Sequence, residues 1–131
     1  MVQKINKDEV YPFAQKFFAN FTDGDDPYER LLAYKKENDI IAFISYSVIY
    51  ERAEINFIAV EKSFRNKGIA QKLIDAMLLD IEDTCENVSL EVSINNKAAI
   101  NLYLKNDFCK KGIRKNYYAD GDAYLLIKEM R

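Results

Sequence analysis

The chain has 131 residues, 49% of them hydrophobic and 13% aromatic, enough apolar material for one globular domain, expected to be residues 1–131, with a proper core. Nineteen Lys and Arg against twenty-one Asp and Glu leave a net charge of -2, so no overall field draws in nucleic acid or an anionic membrane. Histidine is absent, which removes Ser-His-Asp triads, Cys-His pairs and HExxH zinc sites, and the four glycines form neither a Rossmann fingerprint nor a Walker loop.

At the N-terminus, "MVQKINKDEV" lacks the apolar centre of a signal peptide, and the longest apolar run, Ile40 to Ile44, is too short to span a bilayer. A cytoplasmic protein with no membrane partner is expected. The next stretch, "DEVYPFAQKFFANF", spaces Val10, Phe13, Phe17, Phe18 and Phe21 as an amphipathic helix broken near Pro12. "TDGDDP", Thr22 to Pro27, is a loop, and a second short helix is expected over Tyr28 to Tyr34. "DIIAFISYSVIYERAEINFIAV" is rich in β-branched and aromatic residues and predicts two antiparallel strands joined near Glu51-Arg52, with Ile55, Phe57 and Ala59 on one face.

The chain then breaks into "EKSFRNKG" and becomes the strongest helix of the sequence, with Ile69, Leu73, Met77 and Ile81 four apart. "VSLEVSI", Val88 to Ile94, alternates as a strand, with Glu91 on its polar side. Asn95 or Asn96 can cap a helix through Lys105, and "CKKGIRKNYY" and "DAYLLIKEM" predict a final strand pair joined by "ADGD". The order implies a mixed α/β layer fold. Cys85 and Cys109 form no CxxC pair and read as reduced packing residues.

The turn "RNKGIA" carries the first chemical signal. The leading amides of a helix lack intrahelical partners and its dipole favours negative charge, so a strand-to-helix turn suits phosphate. Gly68 lets the main chain approach an anion, and Arg65 and Lys67 add charged donors. An ordinary turn with exposed basic residues is the structural alternative.

Because this [RQ]xxG-x-[GA] motif follows a strand ending "FIAV" and opens a helix, the sequence resembles the GNAT family of acetyl-CoA-dependent N-acetyltransferases. Downstream, "SLEVSINNKAAINLYLKNDF" and "IRKNYYADGDAYLLIKEM" are similar to its ribosomal-protein-alanine (RimI-like) branch, with Ser93, Asn95 and Asp107 departing from the pattern LEVR-x-SN…GF. The resemblance covers about Ile40 to Met130 and implies the GNAT fold, a mostly antiparallel sheet flanked by helices. It also implies acetyl-CoA as donor, bound by Ile58, Ala59, Val60, Arg65, Asn66, Lys67, Gly68, Ile69, Ala70, Asn96 and Tyr103, with no metal. Glu91 is implied to take the proton of the attacking amine, and Tyr103 to protonate the departing thiolate. The oxyanion is expected to meet backbone N–H groups on the strand around Val92.

The expected activity is transfer of acetyl to a primary amine, foremost the N-terminal alanine of a protein, with a small-subunit ribosomal protein as the expected acceptor. A small-molecule amine or a lysine as acceptor, and a catalytically silent acyl-CoA-binding module, are the alternatives. Glu91 could also be a solvated carboxylate, Tyr103 a core residue and Asn96 a plain helix cap. The basic stretch Lys105, Lys110, Lys111, Arg114 and Lys115 reads mainly as a solvated face, with the CoA 3′-phosphate or ribosomal RNA as possible contacts, although no direct nucleic-acid partner is expected. Tyr117 and Tyr118 are candidates to shape a peptide groove.

Overall fold

In the computed structural model, which describes residues 1–130, apolar runs of two periods assemble one mixed sheet with helices on both faces. The elements are β1 (Val2–Lys4), α1 (Lys7–Gln15), β2 (Glu29–Lys36), β3 (Asp39–Ile49), β4 (Arg52–Val60), α2 (Ile69–Ile81), β5 (Asn87–Ser93), α3 (Lys97–Lys105), β6 (Cys109–Tyr118) and β7 (Gly121–Glu129). The strand order is β1-β2-β3-β4-β5-β7-β6. Neighbours are antiparallel except β4 and β5, which run parallel because α2 carries the chain back between them.

Val10, Phe13 and Ala14 of α1 pack with Phe21, Ala33 and Phe43 on one face of the sheet. On the other face, Ile69, Leu73, Ile74, Met77 and Ile81 of α2 meet Ile100 and Tyr103 of α3 over Ala42, Ile44, Leu90 and Val92. Each such aliphatic side chain contributes about 1.5–3 kcal/mol on burial, so this face carries most of the stability. A polar clamp also ties α2 to the sheet: the Tyr46 hydroxyl (2.6 Å) and Arg30 Nη1 (2.9 Å) both donate to Asp80 Oδ2.

Four expectations are corrected here. The helix does not break at Pro12: α1 runs through it to Gln15, because the carbonyl deprived of its donor belongs to exposed Asp8 near the helix start. Phe17, Phe18 and Phe21 follow the helix rather than extend it. The segment expected as a second helix is strand β2, which pairs on both edges and buries Leu32 and Ala33 in opposite cores, so ladder pairing and burial override its helix-forming residues. The short strand β1, which pairs with β2, carries no pattern of its own in the sequence.

The third correction bears on the site. Ile55, Phe57 and Ala59 do not share a face. The β3–β4 register jumps from Tyr46↔Ile55 to Ser45↔Phe57, leaving Asn56 as a bulge. One extra residue inverts the alternation. Ala53, Ile55, Ile58 and Val60 therefore face α2, while Phe57 and Ala59 face α1. The β3–β4 hairpin, α2, β5, α3 and the β6–β7 pair stand as expected. Cys85 is buried as expected, but Cys109, on the edge strand β6, is exposed and packs no core.

Candidate active site

Strands β4 and β5 pair through only Arg52↔Asn87, Ala53↔Val88 and Glu54↔Ser89. Beyond them the strands part, and the sheet opens in its middle. On β5, Leu90 and Val92 face the α2–α3 core, so Glu91 lies on the α1 face. Tyr103 rises from α3 on the opposite side. A cavity of about 240 Å³ in the opening is lined by Ile58, Glu91, Ser93, Asn96, Tyr103 and Tyr118. It shares Phe57, Glu91 and Tyr118 with a wider cleft of about 790 Å³ on the α1 face, lined also by Asp25, Asp26, Glu54 and Tyr117. Residues from the two faces thus meet through the parting of the strands.

Glu91 stands at the junction. Its side chain is only 10% exposed, and Oε2 is fully buried with no hydrogen-bond partner. Arg114 Nε lies 3.9 Å from that oxygen, a charge contact without a hydrogen bond, and the Tyr118 hydroxyl donates to the Glu91 carbonyl at 3.2 Å. Burial, with the nearby Glu91 charge, pushes the Glu54 carboxyl above its ordinary range, partly offset by Arg114. Tyr103 is buried against Phe108, with ring centroids 5.5 Å apart. Burial, and secondarily Tyr118, raises its hydroxyl well above the ordinary tyrosine range, so it stays protonated. Asn96 Oδ1 accepts from the Ala99 N–H at 3.2 Å, which makes it the cap of α3 as well as a lining residue.

Main-chain directions sort the remaining candidates. Ile94 N–H donates to the Asp122 carbonyl, and direction alternates along a strand, so the Val92 amide is turned towards β7. The amides of Glu91 and Ser93, not that of Val92, face the opening. Likewise Glu61 N–H donates to the Ile41 carbonyl on β3, so the Ala59 amide is committed to β3 while Ile58 and Val60 present theirs along the open edge.

The turn before α2 delivers the chain to a helix start that no side chain caps. Asn66 (φ 63°) and Gly68 (φ 77°) are left-handed, Gly68 is the N-cap, and no side chain caps the helix, whereas Asn6 and Asn96 cap α1 and α3. Arg65 Nε is folded onto the Val60 carbonyl at 3.0 Å, beside the open edge of β4. The ammonium groups of Lys36 and Lys67 lie 5.2 and 5.6 Å from the Phe64 ring centre, so the turn sits in basic surroundings. Lys36 was not legible as a site residue, since it arrives from β2. Glu54 and the acids of the Thr22–Pro27 loop were likewise not singled out for the cleft, nor Arg114 as the charge beside Glu91. Alternation of Glu54 with buried Ala53 and Ile55 is the one signal that could have found any of them. In the basic stretch, Lys110 stacks 3.8 Å from the Tyr124 ring centre and Arg114 turns towards Glu91, so it is not uniformly a solvated face.

The sequence model of the Acetyltransferase (GNAT) family matches residues 1–108. The chain belongs to the GNAT family. Within it, a Bacillus subtilis protein provisionally named a ribosomal protein bS18-alanine N-acetyltransferase is 31% identical over 79% of this chain and 69% of its own length. Several relatives named N-alpha-acetyltransferases align over only about half of their own length. The crystal structure of the ribosomal-protein-S18-alanine N-acetyltransferase from Escherichia coli shares the fold with a TM-score of 0.89 at 22% identity, covering 99% of this chain and 93% of that one. A GNAT acetyltransferase from Elizabethkingia anophelis with acetyl-CoA bound matches with a TM-score of 0.77 at 20% identity, over 98% and 97% of the two chains. The expected fold and family are borne out.

Proposed function

We propose that the chain is a single acetyltransferase domain that moves the acetyl group of acetyl-CoA onto a primary amine, foremost the N-terminal amine of a protein, with alanine at its first position. The observation that carries this reading is the buried, unpartnered Glu91 oxygen at the junction of the two cavities. The donor enters from the α2 side, its pyrophosphate on the Arg65 to Ala70 turn, where the Arg65 N–H already donates to the Lys62 carbonyl and the amides that follow it lead into the uncapped helix, and its pantetheine along the free edge of Ile58 and Val60. The acceptor enters the wider cleft. Glu91 removes the ammonium proton, the neutral amine attacks the thioester carbonyl, and the carbon–sulfur bond breaks as the thiolate takes the Tyr103 proton, while the second proton shed by the nitrogen as the amide forms restores the Tyr103 hydroxyl. Amides of Glu91 and Ser93 face the opening as candidate donors to the oxyanion. The names of the relatives support an alanine N-terminus, a ribosomal protein being the finer reading.

An α-amine, with a pKa near 8, is about one-tenth neutral at neutral pH, whereas lysine is almost wholly charged, so one buried carboxylate suffices better for the former. The deciding measurement is CoA thiol release across N-terminal peptides, lysine peptides and small amines. Release with alanine-initiated peptides above the others supports the reading, and release with none refutes it.

A further inference from the structure

The charges around the acceptor cleft do not balance with one amine in place. Its acids are Asp25, Asp26, Glu29, Glu54 and Glu91. Glu29 is already neutralised by Lys7 and also accepts from the Ser45 hydroxyl. Glu91 has only Arg114, at 3.9 Å and without a hydrogen bond. Asp26 is oriented by accepting from the Tyr28 N–H at 2.9 Å, which leaves its charge uncompensated, and Asp25 stands beside it in the exposed loop. The remaining titratable lining groups are held in the neutral form, Tyr117 by burial first and then by Glu91 and Glu54, Tyr118 by burial first, then by Tyr117, and only after it by Glu91 and Asp120. Glu54 and Glu91 are diagonal neighbours on one face, since Glu54 pairs with Ser89. A single ammonium beside Glu91 would leave Glu54, Asp25 and Asp26 still facing the ligand.

We propose that the cleft holds an acceptor bearing a second positive charge, placed away from the reacting amine and held by Glu54 with the loop acids Asp25 and Asp26. This rests on the acceptor entering the α1-face cleft, as argued above. The Glu54 carboxyl, raised by burial first and by Glu91 second, is consistent with it, because a cation bound there would relieve the second of these. A basic side chain at the second or third position of a peptide provides such a charge, and so does a short polyamine.

The test is direct binding, so that it does not depend on turnover. Three peptides identical except for Arg, Gln or Glu after the N-terminal alanine, and spermidine, are titrated calorimetrically into the protein with CoA present. The Arg peptide is expected to bind ~10-fold or more tighter than the Gln peptide and tighter still than the Glu peptide, with the differences shrinking at high ionic strength. Glu54→Gln and Asp25→Asn should each compress that order, circular dichroism establishing that both variants fold. Spermidine binding above the Arg peptide would keep the second-cation site and assign it to polyamines. Equal affinities for the three peptides, or an order indifferent to both variants, would overturn the proposal. If the order holds while no thiol is released with any acceptor, the cation site stands and the catalytic reading falls.

Discussion

At Glu91 the proposed role and stability pull apart. A carboxylate oxygen buried without a partner costs about 1–3 kcal/mol, and the fold tolerates it at the crossing of the two cavities. Glu91→Gln is therefore expected to keep or raise the melting temperature while kcat/KM falls by ~10²-fold or more at neutral pH, a gap that narrows as the acceptor amine deprotonates unaided at higher pH. Thermal melts and pH–rate profiles on one preparation measure both effects, and a melting temperature lowered in step with activity would make Glu91 structural. On the proposed mechanism the Tyr103 hydroxyl is needed only as the thiolate leaves, so Tyr103→Phe should slow turnover while acetyl-CoA affinity in calorimetry stays within error. An affinity loss matching the rate loss would move Tyr103 from proton donor to cofactor contact.

The elements that aim these residues make predictions of their own. A Cβ on Gly68 would meet no atom within 4 Å, yet its φ of +77° is left-handed, so substitution acts through the backbone and not through crowding. Gly68→Ala should cost about 1 kcal/mol of stability and weaken acetyl-CoA binding by turning the uncapped amides away. Unchanged affinity in titration would place the pyrophosphate elsewhere. The clamp holding α2 responds to acid. Burial alone would raise Asp80, but the hydrogen bonds from Tyr46 and Arg30 outweigh it and leave the carboxyl below the ordinary range. A depressed carboxyl stabilises the fold above its unfolded pKa, near 3.9, and that contribution vanishes as pH falls through the lower folded value. Asp80→Asn should thus lower the melting temperature at neutral pH, with the difference closing under acid conditions. A pH-independent difference would mean that packing, not charge, makes the clamp. What the sequence could and could not tell follows the same division. Helix α2 and strand β5 announce themselves because their periods match the faces they bury. Strand β2 does not, since Leu32 and Ala33 enter opposite cores and erase the alternation, and the Asn56 bulge is set by pairing with β3, which no local pattern encodes. Glu91 and Tyr103 were singled out through a family motif, whereas Glu54 in the cleft and Arg114 beside Glu91 come together only once the strands are laid side by side.

Across the whole molecule, the sheet is two blocks, β1 to β4 and β5 with β7 and β6, joined edge to edge by three residue pairs. Their main-chain groups therefore fall into two populations that solvent can tell apart. Along β4, Ala59 is locked to β3 while its neighbours Ile58 and Val60 are not, so deuterium should enter in an alternating pattern, slow at the first and fast at the other two. Acetyl-CoA laid along that edge would take the place of the missing neighbour strand, and protection would appear at Ile58 and Val60 while Ala59 stays as it was. Amide exchange read residue by residue by NMR would make the protein report, in the spacing of its protected hydrogens, where the seam is and whether the donor has closed it.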